Sequence, residues 1–325
     1  MLLRCHKSCN QSLITVINMN YNMDTLLKII KLGRPQILVG NFLLFSMGAL
    51  LAVLFNAQFD LSKFILGYSI LFTAHLAVHY GNDYYDVNVD KFNKPNLVSG
   101  GRGILVKNPE LKELSKKLSI IITVFSLILA AVFTFVFNYP VTFFLFFLFG
   151  NLLAWFYTAP PVKLVYRRLG EFANIIAVVI FLGAGYFTLM GTLDLPFLIF
   201  AIPVIFLQII FINSFEIPDM EGDKLGGKIT WIVSWGREFG FKLIAISGFL
   251  ATVSFFFISL TNLFPASVDF RVLAVMSLIP LSLGIIGLIK KPSDRESATK
   301  LASVNVASLF LTSILINIYF IYLLK

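Results

Sequence analysis

Three carboxylates stand at 83, 86 and 90 in the run Asn82-Asp83-Tyr84-Tyr85-Asp86-Val87-Asn88-Val89-Asp90, directly after the apolar stretch 64–80. Steps of three and four put all of them on one face if the helix of that stretch continues through the run. Anions gathered at a membrane edge are destabilised unless something positive joins them, and a divalent metal is the simplest candidate. The same spacing recurs at Glu216, Asp219 and Asp223. Pro218 predicts a break there, so Glu216 need not share a face with the other two. Paired carboxylate clusters flanked by Lys and Arg suit a magnesium-bridged diphosphate. Mg²⁺ takes oxygen ligands, keeps several waters, and uses one or two carboxylates plus substrate phosphate.

The expected cations around such a group are Arg102, Lys163, Arg167, Lys224 and Lys228. Gly100-Gly101-Arg102-Gly103 offers backbone N–H groups and a guanidinium to phosphate. Tyr157-Thr158-Ala159-Pro160-Pro161 ends an apolar stretch, with Lys163, Tyr166 and Arg167 just beyond. His75 and His79 lie on the stripe that leads to Asp83; with no carboxylate beside them they read as polar lining of a cavity rather than as a metal site. Asn41 and Asn151 are further inward polar candidates. Glu110, Glu113 and Glu221 read as ordinary solvated residues.

To carry this chemistry the clusters must be held at one end of several helices. The chain has 325 residues, 58% hydrophobic and 13% charged, which is the composition of a polytopic membrane protein. Windows long enough to cross a bilayer predict nine spans, 37–54, 64–80, 119–137, 141–157, 172–191, 196–215, 241–260, 272–289 and 302–323. With these spans, only Lys63, Arg271 and Lys325 of the 26 basic residues fall on one side. That asymmetry predicts a cytoplasmic N-terminus and cytoplasmic acidic loops, in the plasma membrane of a prokaryote. Of the 17 acids, only Asp60, Asp194 and Asp269 fall on the far side. An even number of spans separates the two clusters, so they share a side. The mirrored positions define two four-helix pseudo-repeats plus a ninth helix. The net charge of +9 is dispersed over short loops, which does not indicate a nucleic-acid partner. Residues 1–30 read as a flexible tail, with Met19 or Met23 as possible starts, and 31–325 as one transmembrane domain. Cys5, His6 and Cys9 in that tail lack a fourth metal ligand and indicate no disulfide framework.

Together, Asn82-Asp83-Tyr84-Tyr85-Asp86 through Asp90, Asp219-Met220-Glu221-Gly222-Asp223, Tyr157-Thr158-Ala159-Pro160-Pro161, Arg34-Pro35 and the nine spans resemble the UbiA family of intramembrane prenyltransferases. The resemblance implies an all-α bundle around a central lipid-open cavity. Mg²⁺ would be held by Asp83, Asp86, Asp90, Asp219 and Asp223, with Asp83, Asp86, Asp219 and Asp223 catalytic. Asn82, Asp90, Arg102, Lys163, Arg167, Lys228, Asn41 and Tyr157 are the expected substrate contacts. The implied partners are a polyprenyl diphosphate, an aromatic acceptor and the lipid bilayer, with no obligate protein partner. Phe42, Tyr84 and Tyr157 are the candidate aromatic walls for an allylic cation. Ser99 to Leu105, Pro218-Asp219 and Gly227-Lys228-Ile229-Thr230 look most like the dihydroxynaphthoate branch of menaquinone synthesis. Asn213-Ser214-Phe215-Glu216 departs from its Asn-rich run. The alternatives are transfer to a phosphoglycerol lipid, haem or chlorophyll-type acceptor, and a cation-coupled transporter.

Overall fold

The computed structural model describes residues 23–94 and 103–325, and among them every regular element is a helix. A short helix, α1 (Met23–Leu32), leads into α2 (Pro35–Leu54) and α3 (Leu61–Asp90). After one turn of helix, α4 (Ile104–Lys107), come α5 (Lys112–Val136), α6 (Val141–Thr158), α7 (Gly170–Met190) and α8 (Leu195–Glu216). The six-residue α9 (Met220–Leu225) precedes α10 (Trp231–Ile258), α11 (Phe270–Lys290) and α12 (Arg295–Leu323). Nine of the described helices are long and apolar enough to cross a membrane. Residues 23–30, assigned to the tail from sequence, form most of α1. Its Ile29 and Leu32 pack with Leu76 and Tyr80 of α3.

The helices fall into the two expected sets. In the first, α3 runs along α5 and α6; in the second, α8 runs along α10, and α10 along α11. The first members of each set, α2 and α7, cross at the centre, and α12 closes the bundle against α2, α8 and α11. The central crossing is close because of two glycines. A Cβ on Gly185 would run into the backbone of Phe45 and Ala49, and one on Gly48 would meet the carbonyl of Leu182. Helices in lipid gain their association from such backbone approach, since apolar side chains are as well solvated by lipid as by protein.

Helix ends explain where the stray acids went. Asp60, Asp194 and Asp269, the three on the far side, are N-caps of α3, α8 and α11, accepting from Ser62 N, Phe197 N and Arg271 N. The acids left over for chemistry are therefore all at the other end. Three spans begin well before their hydropathy suggests: α5 starts at Lys112 rather than at 119, α12 at Arg295 rather than at 302, and α10 at Trp231 rather than at 241, broken at Gly236 by a left-handed φ of 83°.

Gly185→Val should wedge α2 from α7 and destabilise the protein by roughly 1 to 3 kcal/mol or more. Thermal unfolding in detergent, followed by loss of the monodisperse peak, checks this, and an unchanged midpoint would contradict the crossing.

Candidate active site

Helix α3 does not stop where its apolar stretch ends. It continues to Asp90, so Asp83, Asp86 and Asp90 lie on one helical face, each 9% exposed or less. The second segment is built differently. α8 ends at Glu216, Pro218 stands in a 3₁₀ turn over Ile217–Asp219, and α9 resumes the helix and carries Asp223. Asp219 and Asp223 are buried as well. Glu216 stays behind on α8, as the proline predicts.

Two contacts bring the segments together. Gly226 presses on Val89 and Gly222 on Asn93, with no room for a Cβ at either. Lys228 then places its ammonium 2.8 Å from Asp86 Oδ2 and 3.9 Å from Asp223 Oδ1. Asn93 Nδ2 donates to Asp223 at 3.0 Å, and the Tyr166 hydroxyl donates to Asp86 at 2.7 Å. Asp83 is paired with Arg34, a residue whose φ of 50° lies in the left-handed region. Such a conformation costs of order 1 kcal/mol or more in a non-glycine residue, and here it serves to aim the guanidinium across the mouth. Thr158 Oγ1 donates to Asn82 Oδ1 at 2.8 Å, tying the end of α6 to α3.

Among the described residues the mouth holds five buried aspartates against two inward cations, Arg34 and Lys228, a grouping of carboxylates that a divalent ion fits. No three acidic, histidine or cysteine side chains among the described residues already form a cage. That suits Mg²⁺, which keeps waters and takes part of its shell from phosphate. Burial opposes the Lys228 charge, but Asp86, Asp223 and Asp90 outweigh it and hold the ammonium well above the ordinary 10.5. Burial also pushes the Tyr166 phenol up, and Asp86 pushes it further.

Below the mouth lies a cavity of about 260 Å³ lined by α2, α3, α6, α7, α8 and α12. Arg34, Asn82, Asn41, His75, His79, Asn151 and Tyr157 reach its wall. The expected lining role of the two histidines agrees with this.

Several expected residues lie elsewhere. Arg102 is outside the described residues, as are Cys5, His6, Cys9 and Gly100-Gly101. Lys163, Arg167 and Lys224 are exposed; Lys163 rests over the Tyr166 ring, and Arg167 donates to Pro161 O at 3.0 Å. Of the three aromatic walls, Tyr157 lines the cavity. Phe42 packs against Phe64 and Tyr68, and Tyr84 lies beneath Lys112 and Lys116, because the helix turns both away from the cavity. Glu216 is buried, and neither of its carboxyl oxygens receives an N–H or O–H; the fully buried Glu171, which accepts from Trp231 N, lies against it. Glu221, read as merely solvated, is exposed yet forms a bidentate pair with the buried Arg237 at 2.6 and 2.5 Å. Arg237 also donates to Ile217 O, and Arg295 to Pro218 O and Lys94 O. These two arginines clamp the 3₁₀ turn from behind. Sequence reasoning missed them, with Asn93 and the contact of Tyr166 with Asp86, because contacts made 16 to 201 residues away leave no spacing signal.

The UbiA prenyltransferase family pattern matches residues 42–314. No curated protein sequence matches the chain. Among solved structures, a UbiA homolog from Archaeoglobus fulgidus bound to DMAPP and Mg²⁺ is 18% identical, with a TM-score of 0.62 over 89% of this chain and 98% of that one. The apo UbiA homolog from Aeropyrum pernix K1 gives 0.65 at 14% identity, over 86% and 98%. A digeranylgeranylglyceryl phosphate synthase gives 0.61 at 18%, over 91% and 99%. At these identities the likeness carries the fold.

Arg237→Ala should remove a donor to Ile217 O together with the pair to Glu221 and lower stability by roughly 1 to 3 kcal/mol, read as a lower thermal midpoint. For Lys228, the raised folded value means that its stabilising contribution is fully present below 10.5 and is lost only as pH rises through that higher value. Lys228→Met should therefore remove the same increment at pH 7 and pH 9; a loss confined to pH 7 would contradict the pairing.

Proposed function

The chain belongs to the UbiA prenyltransferase family, and from that premise we propose that it transfers a polyprenyl group from its diphosphate to an aromatic, dihydroxynaphthoate-like acceptor inside the bilayer. The observation that carries the reading is Lys228 joining Asp86 of one half to Asp223 of the other at a single cavity mouth. A transporter reading falls away with the family. Relatives of the same fold bind DMAPP or GPP with Mg²⁺, which supports the same donor class here.

In this scheme Asp83, Asp86, Asp90, Asp219 and Asp223 would hold Mg²⁺, whose chemistry is to neutralise the charge that develops on departing diphosphate. Arg34 and Lys228 would contact the phosphate oxygens directly. Asn82, held by Thr158, would fix one edge of that group, and Arg102, Lys163 and Arg167 would complete the cationic rim from the loops. The allylic C–O bond breaks and diphosphate keeps the electron pair. The cation forms against apolar and aromatic wall, including Tyr157 and Phe215, where water is excluded. An electron-rich ring carbon of the acceptor then forms the new C–C bond, and the proton it releases would pass to an oxygen of the departed diphosphate. The motifs from Ser99 to Leu105 and from Gly227 to Thr230 support a naphthoate-type acceptor. The distribution of basic residues supports a mouth on the cytoplasmic side.

Purified protein given labelled geranylgeranyl diphosphate, with and without Mg²⁺, and a panel of acceptors tests the reading. Transfer to 1,4-dihydroxy-2-naphthoate should require Mg²⁺, and Asp83→Asn or Asp219→Asn should each lower it by about a hundredfold or more while the protein still inserts. Prenylation of a phosphoglycerol lipid in place of every aromatic acceptor would overturn the acceptor assignment, and full turnover by either variant would overturn the site.

A further inference from the structure

Deep in the cavity, away from the aspartates, lie buried polar atoms that no other protein group satisfies. Asn41 is 2% exposed and lines the cavity, yet neither its Nδ2 nor its Oδ1 has a hydrogen-bond partner. His75 lines the same wall, and its Nδ1 is likewise unpaired. Gln208 of α8 lines it too. These three come from different helices but from one depth. His75 precedes Asp83 by eight residues on α3, and Gln208 precedes Glu216 by eight on α8, about 12 Å in each case at the helical rise. Asn41 lies six residues, about 9 Å, into α2. They form a polar layer beneath the diphosphate end.

A buried amide left without partners costs on the order of 1 to 3 kcal/mol, and an all-hydrocarbon occupant would leave both ends of Asn41 in that state. The layer therefore calls for an occupant with hydrogen-bonding groups. Charge is excluded, because Arg34, at the mouth, is the one charged side chain among the described residues lining the cavity; a phosphate or carboxylate at this depth would lie opposite no cation. The walls are flat and aromatic: the His75 ring lies 4.8 Å from Phe181 and 4.7 Å from His79. Amide donor, amide acceptor, imidazole and ring faces together match a planar ring bearing a neutral hydroxyl or keto group.

We propose that Asn41, His75 and Gln208 form the recognition site for an uncharged oxygen substituent on the aromatic ring of the acceptor, which is thereby held between this layer and the diphosphate mouth. The assignment rests on the prenyl-transfer reading but concerns binding alone, so it is tested without turnover. Asn41 and His75 choose the ring and its orientation, and any carboxylate on it points toward Arg34.

The test is equilibrium binding of labelled 1-naphthol and of naphthalene to the full-length protein in nanodiscs. Wild type should bind 1-naphthol at least tenfold more tightly than naphthalene, and Asn41→Leu and His75→Leu should each shrink that preference to about twofold or less. Each variant is first confirmed to bind geranyl diphosphate with Mg²⁺ as wild type does; Asn41→Ser and His75→Gln stand in for one that does not. Equal binding of the two probes by wild type would mean that water alone fills the layer, and a preference that survives both substitutions would place recognition elsewhere; either overturns the proposal. If the preference behaves as expected but dihydroxynaphthoate is not prenylated, the acceptor assignment fails and the ring site stands.

Discussion

The site depends on an ammonium held between two carboxylates that enter from different halves of the bundle. Lys228 touches Asp86 on α3 and Asp223 on α9, and in doing so fixes how far apart the two acidic segments lie. Five aspartates forced together below the surface would otherwise repel one another and drive the segments apart. With Lys228 and Arg34 between them, the mouth can persist while still carrying enough negative charge to draw in a divalent ion and a phosphate. The interaction both permits the fold at this end and prepares it for its ligand.

Rigidity around that contact comes from behind. Arg237 and Arg295 hold the backbone of the 3₁₀ turn at Ile217 and Pro218, while the break at Gly236 lets α10 bring Arg237 back toward Glu221. On the other side, the left-handed Arg34 before Pro35 aims its guanidinium at Asp83. The left-handed Arg34 and the close contacts of Gly222 and Gly226 act at this end, whereas the membrane-facing surface is ordinary apolar side chain. A site that must hold like charges together needs its backbone overdetermined, and the clamps supply that.

Farther in, the cavity changes character. Its upper wall meets the acidic mouth, its middle presents amides and imidazoles, and the surrounding helices are apolar. Reaction through a cation needs dry surroundings near the breaking bond, but selection among acceptors needs directional groups. Separating the two by depth allows one cavity to serve both.

The amino-acid sequence by itself determined the nine membrane-spanning helices, the placement of both acidic clusters at one end, and the break at Pro218, because length, hydropathy, charge asymmetry and proline act locally. It singled out Asp83, Asp86, Asp90, Asp219, Asp223 and Lys228 as candidates, since their periodicity or motif context is visible in one dimension, and the structure brings them to one mouth. Only the tertiary structure decided which cations turn inward: Lys228 and Arg34 do, while Lys163, Arg167 and Lys224 stay on the surface. It alone set Tyr84 beneath lysines, Glu216 against Glu171, Glu221 onto Arg237, and Asn93 and Tyr166 onto the aspartates. The physical reason is that these outcomes depend on how helices far apart in the chain cross, which is governed by close contacts such as Gly48 with Leu182, Gly185 with Phe45 and Gly226 with Val89 rather than by any local propensity.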